Sequence, residues 1–398
     1  MVTPDTCMQS PTVHAIVTAI SRRIAVSPVH VYKKTRGKNG RDAKERQPDH
    51  PVAKLLAYPN KWQSRSDYWM DAASCLVRHG KYFAYKSRGS TGPIRELLPI
   101  NPKSISIEQD PKTWAITYRQ GAEVLTYKNV HYVRGPARDF VCGDSPVLDV
   151  QTAIALEILA EKFGATFFQN GALPLLMFTF MQGNKGFKTA EDEKRFADEF
   201  QNAFGGAKRF RAMVAPAGMD KPTSIPIEND KAQFLETRKH QRTVIAGAFG
   251  VPPHLVGDLE RATFNNVEQQ DSDFTLNVVM PIAQAFEAAM ERDLLTDEDV
   301  NKGMIIRFNL DSVMRADFAS RQNGLQIQRR NGVINVNEWR EREGMNPIAD
   351  DKGGEDYIHE QNMVVAGEEP PPEPPADPIK ELDESVSKLR KMAQELSE

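Results

Sequence analysis

The feature that most constrains this chain is a break. At Gly250-Val251-Pro252-Pro253 no helix can continue, because each proline lacks an amide donor and crowds the preceding turn. A charged helical pattern, about 229–249, runs into the break. A longer one, about 265–295, leaves it, and the loop between them covers 257–266. The longer pattern places Val267, Phe274, Val278, Ile282, Phe286, Ala289 and Leu294 close to helical spacing. At roughly 1.5 Å per residue it is a rod about 45 Å long. Pro281 sits inside the pattern and removes the bond to the carbonyl of Asn277, so a kink is expected there.

The flanking segments read as mixed helix and sheet. Ser10-Pro11 opens a helix with the apolar face Val13, Ile16, Val17, Ile20 and Ile24. Val29 to Lys33 reads as a strand, and the polar, basic run from Thr35 to Pro48 as a surface loop. Ser64 and Asp67 cap a helix whose buried stripe is Tyr68, Trp69, Ala72, Cys75 and Leu76, and Gly80 ends it. His79 reads as a helix-end histidine, since no second ligand stands at metal spacing. From Tyr82 to Arg134, six short runs rich in β-branched and aromatic residues predict an antiparallel meander, with Arg119-Gln120-Gly121-Ala122 as its clearest turn. The fold class expected is α+β.

Ser145-Pro146 opens a second long helix, running to about residue 170. Its apolar residues (among them Ile154, Ile158, Leu159 and Phe163) wrap much of the circumference, which predicts packing on more than one side. Residues 172–228 form a small insert. Leu175 to Phe180, Arg209 to Val214 and Ser224 to Ile227 read as strands, and a helix capped by Thr189 carries Phe196, Phe200 and Phe204 on one face. The helix after the insert is polar in its middle. That pattern fits a solvated face, a water-filled channel or charge pairs with neighbouring subunits. Further on come a strand at Ile305 to Leu310, a helix over about 315–330, and an Asn335–Glu338 capping box for a short helix bearing Trp339. Residues 367–378 are a proline-rich acidic linker. Ile379, Leu382, Val386, Leu389, Ala393 and Leu396 then space a short heptad seam over 379–398, expected to self-associate or pack on an assembly.

Charge and chemistry exclude several classes. Positions 350–398 hold 14 acidic and 5 basic residues, a net of −9, so the preceding positions carry +6 of the chain's net −3. That is mild for a tight nucleic-acid binder, whose affinity comes from neutralising phosphates, and suits a conduit through which DNA slides. It suits a protein that never meets DNA equally well. No apolar run approaches the roughly 18 residues of a membrane span, and no basic segment with an apolar core opens the chain, so no membrane or secretory role is expected. Cys7, Cys75 and Cys142 are scattered and odd in number, which predicts free thiols in a reducing compartment. There is no phosphate-binding loop, no dinucleotide fingerprint and no nucleophile elbow, and His359-Glu360 lacks the second histidine of a zinc site. No enzyme activity, metal or cofactor is expected.

One resemblance covers nearly the whole chain, from about residue 10 to 348. The run ETRKHQRTVIAGAFGVPPHLVGD, then ATFNNVEQQ, then VVMPIAQAFEAAMERDLL is similar to the portal proteins of tailed bacteriophages, in a short branch of about 400 residues. His50-Pro51 with Leu55-Leu56 and Pro59-Asn60 match as well, as do Gly143-Asp144-Ser145-Pro146, Phe167 to Gly171 and Val336 to Arg340. The resemblance implies a homo-oligomeric, dodecameric ring at one vertex of the capsid in the virion, assembled in the host cytoplasm. DNA would pass through its central channel during packaging and ejection. It implies a wing (1–144 with 250–310), stem helices (145–170 and 229–249), a clip (171–228) and a crown (311–366, then the linker and heptad helix). Leu259, Glu260, Arg261, Ala262 and Thr263 would form the tunnel loop nearest the DNA, near neutral because Glu260 stands beside Arg261. Arg238, Lys239 and Arg242 would be candidate channel-facing stem residues. The implied partners are double-stranded DNA, the terminase large subunit (which would hold the ATPase), the major capsid protein and a head–tail connector or adaptor. Readings from other classes are another structural connector or baseplate protein, or an α+β hydrolase.

Overall fold

The structure is a computed structural model. It describes every residue except 37–41, 90–91, 170–174, 185, 205–217, 222, 226–230, 260–263, 311–317, 344, 359–385, 390–391 and 393–398. The chain divides into two compact units, Met1–Met314 and Arg315–Glu398.

In the first unit, α1 (Pro11–Val26) begins where the Ser10 side chain accepts the amide of Val13. Strands β1 (Val29–Arg36) and β2 (Asp42–Arg46) follow, then α2 (Pro51–Ala57) and α3 (Arg65–His79). The run read as a surface loop therefore holds β2, paired antiparallel with β1 from Tyr32↔Arg46 to Arg36↔Asp42. Its DAKER sequence has no apolar alternation, so the pairing and not the pattern makes it a strand. Helix α3 carries the full Ser64–Asp67 capping box and stops at Gly80, in the left-handed conformation. Gly80 has a second constraint. A Cβ there would lie 1.7 Å from the Asp144 carbonyl oxygen, and one on Gly143 would lie 1.9 Å from the Gly80 carbonyl oxygen. Backbones cross at this point, which only glycine permits.

The predicted β region splits into two three-stranded sheets. One has the order β4 (Ile94–Ile100), β3 (Lys81–Arg88), β8 (Val130–Arg134). The other is the meander β5 (Ile105–Gln109), β6 (Ile116–Gln120), β7 (Glu123–Thr126). Strand β8 thus returns to β3 across some forty residues and does not extend the meander. Phe83, Tyr118, Leu125, Val130 and Tyr132 form a small core here, with Phe83 stacked on Tyr132 at 4.9 Å. Then come α4 (Pro146–Asp149), α5 (Gln151–Gln169), β9 (Leu175–Met177), α6 (Ala190–Phe204), β10 (Thr223–Ile225) and α7 (Lys231–Ala248). Strands β9 and β10 pair antiparallel. Phe178, Phe187, Phe196 and Phe200 form the insert's own aromatic cluster, in which Phe178 meets Phe196 and Phe200 edge to face.

The rod is α8 (Phe264–Phe274), one π-helical stretch (Thr275–Val279) and α9 (Met280–Leu294). The π stretch ends at Met280, whose amide donates to the carbonyl of Thr275, and Pro281 follows at once. The missing proline donor is thus met by a local change of helix register. After α10 (Asp297–Asn301), β11 (Met304–Phe308) pairs with β1 in the sheet β11-β1-β2. The main core gathers α1, α3 and α9. Trp69 meets Phe286 and Phe308 edge to face at 5.6 and 5.2 Å.

The second unit holds α11 (Phe318–Arg330) and α12 (Val336–Arg342). The predicted Asn335–Glu338 capping box is present, and the Asn337 side chain ties α12 to Ile348 and Glu355. Of the predicted heptad seam, only positions 386–389 and 392 are among the described residues.

Candidate channel and assembly surfaces

The loop at 257–266 is launched by a tightly built turn. Helix α7 ends with Gly250 at φ +67, the amide of Gly250 on the carbonyl of Gly247 and that of Val251 on Ala246. This is the Schellman arrangement, and the buried Val251 and Ala246 supply its apolar contact. Pro253–Val256 makes one 3-10 turn that ends at Gly257, again left-handed. His254 Nδ1 lies 3.0 Å from Gln270 Oε1, so the turn before the loop is tied to α8 after it. Leu259 is exposed. Glu260, Arg261, Ala262 and Thr263 lie outside the described residues.

The two helices around the insert pack side by side. Arg238 of α7 is half-buried and donates to Glu161 of α5 at 2.8 Å, so its charge is used between the helices. Lys239 is exposed and Arg242 is half-buried. Sequence reading named Arg238 a possible channel-facing residue and did not see this partner, because Glu161 lies 77 positions away. Glu157, one turn earlier on α5, is buried and accepts from the hydroxyls of Ser10 and Thr12. It sits at the N-terminus of α1, where a helix dipole favours an anion. Helix α5 is thus fixed to the body on one side. On another it leaves Leu156, Leu159 and Phe163 exposed at 49, 60 and 49%. A groove of about 310 Å³ runs beside them, bounded across the gap by Thr237, Arg238 and Gln241.

Buried ionisable groups cluster at the end of α9. Asp293 accepts from His131 Nδ1 at 2.9 Å, the Tyr132 amide at 3.1 Å and the Arg292 guanidinium at 2.7 and 2.8 Å. Burial opposes its ionisation, but hydrogen bonds from Arg292 and His131 outweigh that and hold its carboxyl well below the usual range. The Lys86 ammonium donates to the carbonyls of Tyr127 and Asp293 at 2.9 and 3.1 Å. Glu287 and Glu291 accept the amides of Phe308 and Ile306 at 2.7 and 2.8 Å. These carboxylates serve backbone and strand ends and do not converge on a cleft. Among the described residues, no group of three or more His, Cys, Asp or Glu could hold a metal ion, and no helix is long and apolar enough to cross a membrane.

The phage portal protein profile matches residues 11–344. The chain belongs to the phage portal protein family. It is 30% identical over 394 residues to the probable portal protein of Streptomyces phage phiC31, covering 93% of this chain and 82% of that one. To the portal protein of Enterobacteria phage HK97 it is 27% identical over 347 residues, covering 86% and 80%. Its fold matches the HK97 family phage portal protein from Corynebacterium diphtheriae with TM-score 0.57 at 15% identity, over 79% of this chain and 96% of that one. It also matches a chain from the neck of a native gene transfer agent particle computed with C12 symmetry, with TM-score 0.55 at 18% identity, over 86% and 93%. The function of the chain is that of a portal protein, and the family is structural and not enzymatic.

Proposed function

We propose that about twelve copies of this portal protein close into a head-to-tail ring at one vertex of a virion capsid. The ring is the channel for double-stranded DNA in packaging and ejection. It is built in the host cytoplasm, and it docks the terminase large subunit, the major capsid protein and a head–tail connector. In this reading α5 and α7 are the stem, the insert with β9, α6 and β10 is the clip, residues 1–144 with 250–310 are the wing, and 311–398 are the crown. Residues 257–266 are the tunnel loop, whose near-neutral Glu260-Arg261 pair favours sliding over gripping.

One observation carries the ring. Leu156, Leu159 and Phe163 stand exposed on a helix that Glu157 already ties to the start of α1. An apolar stripe of that kind marks an interface. A head-to-tail interface between copies closes into a ring when its rotation is right. The C12 symmetry of the matched neck particle supports the copy number. The test is electron microscopy of the purified protein, alone and with its capsid protein, with class averages counted for rotational symmetry. Rings of about twelve with a central hole are expected. A chain that stays monomeric under both conditions overturns the reading.

A further inference from the structure

Residues 135–145, between β8 and α4, are heavily tied. Asp139 Oδ1 accepts the amides of Val141 and Cys142 at 2.9 and 2.5 Å. Arg134 Nη1 donates to the Phe140 carbonyl at 2.5 Å. The Tyr132 hydroxyl donates to the Val141 carbonyl and accepts the Gly143 amide, both at 3.1 Å. The Arg138 amide reaches Asp144 Oδ2 at 2.6 Å, and the Asp144 amide reaches the Pro136 carbonyl at 2.9 Å. At the base, Gly135 and Gly143 press on Gly80. This frame holds Phe140 outward with 94% of its surface exposed. A connecting loop has no need of an aromatic ring in water. A rigid frame that presents one has already met most of the ordering cost of a contact.

A receptor of matching chemistry lies elsewhere in the same unit. The outward side of α1 bounds a groove of about 570 Å³. Ala15, Thr18 and Ala19 form its floor, Leu255 and Phe274 line its far side, and Arg22 stands at its rim. The neighbouring Arg23 is bonded to Asp271, whereas Arg22 is exposed and makes no ion pair among the described residues. Asp139, adjacent to Phe140, is exposed, and its hydrogen bonds to Val141 and Cys142 both use Oδ1. The knob and the groove are therefore complementary in both apolar character and charge. Phe140 is too exposed to be seated in its own chain's groove.

We propose that Phe140 of one copy seats in the α1 groove of the next copy, with Asp139 beside Arg22. The contact joins two different patches of one chain, the head-to-tail kind that a closed ring requires. It rests on the ring reading above and names a contact separate from the α5 stripe.

Disulfide trapping in the full chain tests it directly. Phe140→Cys combined with Ala19→Cys, under mild oxidation, gives a ladder of linked copies on a non-reducing gel, and neither single change does. By mass photometry on dilution, Phe140→Ala weakens association between copies about thirty-fold, the size of an interface hot spot. The melting curve of the dissociated protomer stays that of the wild type, because the aromatic side chain touches little in its own chain. Arg22→Asp weakens association by less, because Asp139 already lies near Arg134 in its own chain. Wild-type rings that Phe140→Ala leaves equally stable to dilution, or a Cys pair that links no more than Phe140→Cys alone, overturn the contact and leave the ring standing. A wild-type chain that never assembles overturns both.

Discussion

The end of α9 and the outer side of α5 use their side chains in opposite ways. Around α9 the buried groups are charged, and each is answered within the chain: Asp293 by His131, Arg292 and the Tyr132 amide, Lys86 by two carbonyls. Along α5 the exposed groups are apolar, with Leu156, Leu159 and Phe163 in water. Buried charge survives only where folding has supplied its partners. Exposed apolar area persists where something outside the chain is to cover it. The first region marks where the protomer is complete, and the second marks where it is not.

The sharpest way to break this contrast is Asp293→Ala. It leaves the His131 ring and the Tyr132 amide without their acceptor in a buried site, so a loss of about 3–5 kcal/mol is expected in urea unfolding of the isolated protomer. The same corner sets an acid limb. Because the folded Asp293 carboxyl is held below its ordinary value, its stabilisation is fully present above the ordinary carboxylate range. It is lost as pH falls toward the folded value. Asp293→Asn should flatten that limb in melts taken across acidic pH. An unchanged slope would show that the carboxylate is not the titrating clamp.

Leu159→Asp tests the other side. Protomer stability should move by no more than about 0.5 kcal/mol, because the site is exposed, while association between copies weakens by about 2 kcal/mol or more. Rings that form normally from this variant would remove the stripe from the interface. A smaller effect belongs to Gly250→Ala, which puts a side chain on a left-handed residue, with Val278 Cγ2 at 3.0 Å from the new Cβ. A cost of about 1–2 kcal/mol is expected by thermal unfolding. Arg238→Met should cost the least, below about 1 kcal/mol, because its pair with Glu161 is partly solvated. A larger loss would mean that this pair belongs with the buried charges of α9.

What the sequence made legible was local. Ser10, Ser64 and Asn335 each cap the helix their spacing predicts, and Gly80 and Gly250 end helices as left-handed residues. These signals lie within a few residues of what they control. The helices α2 and α10 are too short for periodicity to register, although α10 has a complete Thr296–Asp299 capping box. The return of β8 to β3 and the strand character of β2 come from pairing partners that no local pattern names. The site follows the same rule. The turn that launches the loop could be read from Gly250 and the two prolines. The Arg238–Glu161 pair and the exposed face of α5 needed the packed chain. Phe140 left one faint mark, a lone aromatic residue between Asp139 and Val141 in the connection from β8 to α4.

The two glutamates on α9 have a consequence for life in a crowded cell. The sheet β11-β1-β2 has two outer strands, and either could act as a template for strands from other chains. On β11 the amides of Ile306 and Phe308 are already taken by Glu291 and Glu287. On β2 the outer strand is Asp-Ala-Lys-Glu-Arg, a run poor in apolar character and dense in charge, with Lys44, Glu45 and Arg46 exposed. Both edges of this sheet are thus poor templates for strands of other chains. In the proposed ring, copies would meet instead on the outer side of α5 and on the Phe140 loop and α1 groove.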